Sequence, residues 1–90
     1  MSEPKSNQPD VITIDVVTIE VNTNKVKMPA GPASGLEIKE AAVDQGGKIE
    51  VSFVLQQQLP NGTAKVIGDD DKVPLSDHLA FTAIAPDDNS

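Results

Sequence analysis

Apolar residues recur along this chain with two different periods, and together they divide it into strands and a single helix. Val11 to Asn22, VITIDVVTIEVN, is the first β-prone run, but its alternation changes phase midway. Ile12, Ile14 and Val16 occupy even positions, while Val17, Ile19 and Val21 occupy odd ones. A strand of period two cannot put both sets on one face. Either a bulge lies at Val16–Val17 or residues 12–15 form a separate extension, and the extension leading into a main strand near 16–22 is the favoured reading. An exposed Ile12/Ile14 edge would be a place for another chain to add. Asn22-Thr23-Asn24 supplies turn residues that tolerate positive φ. Val26 and Met28 then share one face of a short return strand, which closes a hairpin. Pro29 to Ala33, PAGPA, reads as a rigid connector.

The period lengthens at Ser34 to Gly47, SGLEIKEAAVDQGG. Ile38, Ala41 and Ala42 lie at i, i+3 and i+4, a small apolar stripe suited to a helix lying close on a sheet. Ser34 with Glu37 three residues on predicts a capping box, in which each side chain satisfies a backbone N–H of the first turn. Pro32 discourages an earlier start. Gly46-Gly47 marks the end, because glycine takes the left-handed conformation at no steric cost.

Alternation resumes at Lys48 to Gln57, the predicted central strand, with Ile49, Val51, Phe53 and Leu55 on one face and Val54 on the other. Pro60-Asn61-Gly62 is a strong turn signal. Thr63 to Ile67 returns as a short strand, Gly68-Asp69-Asp70-Asp71 is a loop, and Val73, Leu75 and Leu79 punctuate a connector in which Ser76-Asp77 starts a short turn. Phe81 to Ala85 is the last strand, with Ile84 opposite in face to Phe81, Ala83 and Ala85. Hairpin, helix, strand, short strand, connector, last strand is the order of an α+β β-grasp fold, a mixed sheet of about five strands crossed by one helix. The last strand is then expected beside the first, in the middle of the sheet. Residues 11–85 form the expected domain, 1–10 a disordered leader with two prolines, and 86–90 a mobile tail.

Composition narrows the function. The net charge is −7, from 14 acids against 7 bases, and all the bases are lysines. Without arginine, tyrosine or tryptophan there is neither a phosphate-gripping patch nor a stacking platform, so nucleic acid is not an expected partner. The same charge argues against an acidic membrane surface and fits docking to a basic groove on another protein. There is no cysteine, hence no disulfide framework and no thiolate metal site. The N-terminus, MSEPKSNQPD, has no basic n-region or apolar h-region. No apolar run approaches the roughly 20 residues of a bilayer span. A cytoplasmic location follows as the expectation.

From about Val17 to Ala85 the chain resembles bacterial ubiquitin-like proteins of the multiubiquitin type, which are encoded beside E1-like and E2-like enzymes and a peptidase. The resemblance rests on Val21-Asn22 followed by Lys25 and Val26, and on Ser34-Gly35-Leu36-Glu37-Ile38 opening the helix. Leu59-Pro60-Asn61-Gly62, Ile67-Gly68-Asp69-Asp70-Asp71, Val73, Leu75 and Phe81-Thr82-Ala83 complete it. It implies a protein modifier with no catalytic residue, metal or cofactor of its own. Its partners would be an E1-like adenylating enzyme that uses ATP, an E2-like enzyme, a processing peptidase and a target. The implied conjugation tail is Pro86, Asp87, Asp88, Asn89 and Ser90, where ubiquitin itself carries Gly-Gly. Asp87 and Asp88 would repel a triphosphate unless the activating enzyme supplies basic residues. Three cases follow: activation at Ser90, prior trimming to Asn89, Asp88 or Asp87, or loss of conjugation in favour of docking alone. The last is a non-covalent adaptor, and the Ile12/Ile14 edge would serve it for strand addition.

The remaining candidates are weaker chemistry. Asp69, Asp70 and Asp71 lack the alternating ligands and distal glutamate of a calcium loop, so a solvated turn read by a partner is the better account. His78, the one histidine, has no nucleophile arranged with it and reads as a surface residue. Val54 and Val66, pointing away from the core, are with Asp69, Asp70 and Asp71 the candidate partner-binding residues. Gln56-Gln57-Gln58 reads as the polar end of a hairpin, and Gly46-Gly47 as a helix stop rather than a conjugation site.

Overall fold

The computed structural model describes residues 15–86. In chain order they form β1 (Val16–Val21), β2 (Asn24–Pro29), β3 (Gly31–Ser34), α1 (Gly35–Asp44), β4 (Val54–Gln58), β5 (Ala64–Ile67), β6 (Lys72–Leu75) and β7 (Ala80–Ile84). β1 and β2 are an antiparallel hairpin, with Val16 opposite Pro29 and Val21 opposite Asn24. Asn22 and Thr23 at its tip have φ of 51° and 69°. Two successive left-handed residues give the turn whose twist matches that of the flanking strands. β7 returns parallel to β1 and antiparallel to β4, so the five-stranded sheet runs β2-β1-β7-β4-β5. β3 and β6 form a separate two-stranded sheet. The architecture is an α+β β-grasp, with the last strand between the hairpin and β4.

The core lies between one face of the sheet and α1. Ile19, Val21 and Val26 of the hairpin, Ile38 of α1, Leu55 of β4 and Phe81 of β7 are all buried there. In β1 it is the odd-numbered set, Val17, Ile19 and Val21, that faces inward, and the even-numbered Val16 is exposed. The strand begins at Val16; Ile12 and Ile14 lie outside the described residues. α1 is capped as its sequence predicts. Glu37 N donates to Ser34 Oγ at 3.1 Å, and Ser34 N donates to Glu37 Oε1 at 2.7 Å. At the other end Gly46 takes φ 92° immediately after the C-cap Gln45.

Three segments differ from their sequence reading. Pro29–Ala33 is not a plain connector: β2 extends through Pro29, and Gly31 onward is β3. The Val73–Leu75 connector is its partner β6, with Pro32 opposite Pro74. Gly35 N donates to Asp71 O, which fixes the alternation of this ladder. Both prolines then occupy a pair that exchanges no backbone bonds, so their missing N–H groups cost nothing. The third is Lys48–Gln57. Only Val54–Gln58 is strand, and it sits second from the sheet edge, not at the centre. Before it Phe53 N donates to Glu50 O at 3.0 Å, closing a turn that leaves Val51 exposed while Ile49 and Leu55 are buried.

Candidate docking face and the loop behind it

The side of the sheet away from α1 carries a short row of uncovered aliphatic side chains. Phe81 and Ala83 of β7 point into the core, so Ile84 must point out, and it is 45% exposed. Val54 of β4 stands directly opposite Ile84 and is 39% exposed. Gln56 of β4 is opposite Val66 of β5, which puts Val66, 58% exposed, one diagonal step from Val54. Directly opposed and diagonal neighbours on one face are close enough to act as one surface. Covering the row would contribute about 1 kcal/mol per side chain, since roughly half of each is still in water. Polar groups flank it, among them Gln58, whose Nε2 donates to Thr82 Oγ1 at 3.0 Å. The predicted pair Val54 and Val66 is thus joined by Ile84. Strict alternation in the last strand was the signal for it.

Beyond Ile84 the chain leaves the sheet through Ala85 and Pro86, both exposed. Of the predicted tail only Pro86 is described; Asp87, Asp88, Asn89 and Ser90 lie outside the described residues.

The Gly68–Asp71 loop lies at the start of the helix and is largely occupied with internal contacts. Asp71 accepts from Gly68 N at 2.8 Å through Oδ2, and its carbonyl accepts from Gly35 N at 3.0 Å. Asp69 O accepts from Leu36 N at 3.3 Å. Two otherwise orphaned N–H groups of the first helical turn therefore end on this loop. The approach is so close that a Cβ on Gly35 would sit 2.3 Å from Gly68 O. Asp69 also pairs through Oδ1 with Lys39 Nζ at 2.7 Å. Lys39 is only 4% exposed, and its Nζ donates a second bond to Phe53 O at 2.8 Å. All three aspartates are exposed, and Asp69 and Asp71 each also engage one carboxylate oxygen within the protein.

Lys39 was not among the residues the sequence singled out. It follows Ile38 and precedes Ala42 by three positions, on the rim of the buried stripe, and that spacing was the available signal. The ammonium ties α1 to both the turn before β4 and the loop after β5. Glu37 sits nearby at the surface. The Ser34 N–H and, secondarily, the Lys72 ammonium hold its carboxyl below the ordinary value of 4.5.

His78 is exposed at φ 74°, and its backbone N–H donates to Thr18 O at 3.0 Å while Asp77 Oδ1 accepts from Thr18 N at 2.8 Å. This pair anchors β1 at the point where β7 begins. Among the described residues no group of three or more His, Cys, Asp or Glu side chains is gathered as for a metal. No described helix is long and apolar enough to cross a membrane.

Among the described residues, a central strand parallel to β1 that exits through exposed Ala85 and Pro86, a single capped helix behind the sheet and a bare aliphatic row in front define a β-grasp module of the ubiquitin-like type. Comparison with known families agrees: the family model described as Multiubiquitin matches residues 17–87, from within β1 to just past β7. The chain belongs to the Multiubiquitin family. No curated protein matches it, and no solved structure does.

Proposed function

We propose that this protein is a ubiquitin-like modifier, activated at its C-terminus by an E1-like enzyme and passed through an E2-like enzyme to a target. The observation that supports it best is the position of Ile84 and Val54 beside the exit of β7. The strand that ends the sheet also contributes to the bare row, so an enzyme gripping the row holds the body a few residues from the chain end. Six residues beyond Ile84 reach about 20 Å when extended, enough to enter an active site on the same enzyme. In this mechanism the terminal carboxylate attacks the α-phosphorus of ATP, giving an acyl adenylate and releasing pyrophosphate. A nucleophile of the enzyme then displaces AMP. The chain supplies only the carboxylate and the docking face; ATP is the partner's substrate. Asp87 and Asp88 call for basic residues along the enzyme's channel, and a peptidase that trims to Asn89, Asp88 or Asp87 would shorten that acidic approach.

The test is intact-mass analysis of the full chain mixed with the E1-like enzyme of its own source and ATP. An acyl-enzyme adduct is expected. Deleting Pro86–Ser90 should abolish it, and Val54→Asp with Ile84→Asp should slow it at unchanged fold. A tight complex that never yields an adduct would overturn the modifier reading in favour of a non-covalent adaptor.

A further inference from the structure

The two outer edges of the five-stranded sheet differ in a way that the proposed function does not use. On β2 the bond from Ala30 N to Asp15 O sets the alternation, so Lys25, Lys27 and Pro29 turn their backbone groups away from β1. Pro29 has no N–H to offer. Lys27 is already paired on both sides: its N–H donates to Gln45 Oε1 at 2.8 Å, and its carbonyl accepts from Gln45 Nε2 at 2.8 Å. The carboxamide just past α1 thus stands in for a neighbouring strand and closes this edge. On β5 the bond from Leu59 N to Thr63 O sets the alternation, so Lys65 and Ile67 face β4. Ala64 and Val66 present their N–H and C=O groups outward, and no described residue takes them. Along this edge runs a groove between β5 and β6, with Ile67, Val73 and Pro74 in its wall and Lys65 and Lys72 beside them.

We propose that the open β5 edge binds the Val11–Ile14 segment of a second copy of this chain as an added strand. The segment fits by length, chemistry and charge. VITI has as many residues as β5, is β-prone throughout and alternates with period two. Asp10 and Asp15 bracket it, and the groove offers Lys65 and Lys72 against one acid, Asp71, whose Oδ2 already accepts from Gly68 N. Main-chain bonds to Ala64 and Val66 supply affinity; side chains on one face of the segment extend the aliphatic row at Val66, and those on the other enter the groove.

The occupant must come from another copy. Glu20, Ala80, Gln58 and Ala64 share one row across the sheet. Asp15 lies five residues before Glu20, and β5 runs from Ala64 away from it. The added-strand position opposite Val66 is therefore about 19 Å across the sheet and about 23 Å along it from Asp15. Four extended residues span at most about 14 Å.

Sedimentation equilibrium of the full chain from micromolar to millimolar concentration tests this. The weight-average mass should rise above the 9.5 kDa of one chain. Ile12→Asp with Ile14→Asp should return it to the monomer, and Lys65→Glu, at an exposed position that leaves folding intact, should weaken association at least fivefold. A peptide of sequence DVITID added to the ¹⁵N-labelled Ile12→Asp/Ile14→Asp chain should move the amide signals of Ala64, Lys65 and Val66. A chain that stays monomeric at millimolar concentration overturns the proposal. So does association indifferent to these substitutions, or a peptide that perturbs β2 or the Val54–Ile84 row in place of β5.

Discussion

Gly35→Ala separates what the structure says from what helix propensity says. Gly35 is the first residue of α1 and is not among the glycines at positive φ, so propensity alone makes alanine there better by up to about 1 kcal/mol. The structure reverses the sign. The new Cβ would lie 2.3 Å from Gly68 O, and the obstacle is backbone, not a flexible side chain. Real Cβ contacts essentially never fall below 3.0 Å, so helix and loop must part by at least about 0.7 Å. That separation stretches Gly35 N to Asp71 O and Leu36 N to Asp69 O beyond useful length. Each bond is worth about 0.5–1.5 kcal/mol. The net expectation is a loss of about 1–2 kcal/mol, which for a domain of this size lowers the melting temperature by roughly 5–15 °C. Urea and thermal unfolding followed by far-ultraviolet circular dichroism would measure it, with Asp44→Ala on the exposed end of α1 as the control for helix propensity. A Gly35→Ala chain as stable as the parent, or more so, would refute the tight-approach argument.

Two further predictions concern the same loop. Lys39→Met keeps the buried stem but leaves Phe53 O unpaired, and should cost about 2 kcal/mol; a double-mutant cycle with Asp69→Asn in urea should return a coupling above about 0.5 kcal/mol, and a coupling indistinguishable from zero would remove Lys39–Asp69 as a tie. Glu37 gives a pH dependence of known sign: its folded pKa is depressed, so its contribution is complete above 4.5 and is lost as pH falls through 4.5 and the lower folded value. Melting temperatures measured from pH 7 down to pH 3 should fall less steeply in Glu37→Gln, and parallel curves would contradict the assignment.

How much of this was legible in the sequence follows from the range of the interactions. The helix and the first hairpin were readable because their signals are local: Ser34 and Glu37 cap each other, Gly46 takes the left-handed exit, and Asn22-Thr23 makes the turn. β3 was not, because its strand character comes from pairing with β6 on the far side of the helix and β5. Its prolines hide that pairing, although each sits where the ladder needs no N–H. The apparent strand at Lys48–Phe53 failed for a related reason. Its alternation is real, but Lys39 Nζ takes the Phe53 carbonyl and a turn takes the Phe53 N–H, so β4 starts one residue later. The docking row was half readable: alternation gives the outward residues of each strand, but only register brings Ile84 opposite Val54.

Two of the blocks that carry the family resemblance, SGLEI and IGDDD, turn out to be one contact. Gly35 permits the approach, Leu36 and Gly35 donate to the loop, and Asp71 holds the loop's bend by accepting from Gly68 N. Both blocks therefore serve the packing of the helix start against the loop that follows β5. That division of labour constrains any functional account. Within these blocks Asp69 Oδ1 pairs with Lys39 and Asp71 Oδ2 accepts from Gly68 N, so part of each carboxylate serves the fold although both residues stay exposed. The groups the fold leaves unsatisfied are then the candidates for the docking proposed above. Among the described residues these include the aliphatic row of Val54, Val66 and Ile84, the open backbone of β5, and the exposed exit at Ala85 and Pro86. All three are reached from β7, β4 and β5, the half of the sheet opposite the β2 edge that Gln45 closes.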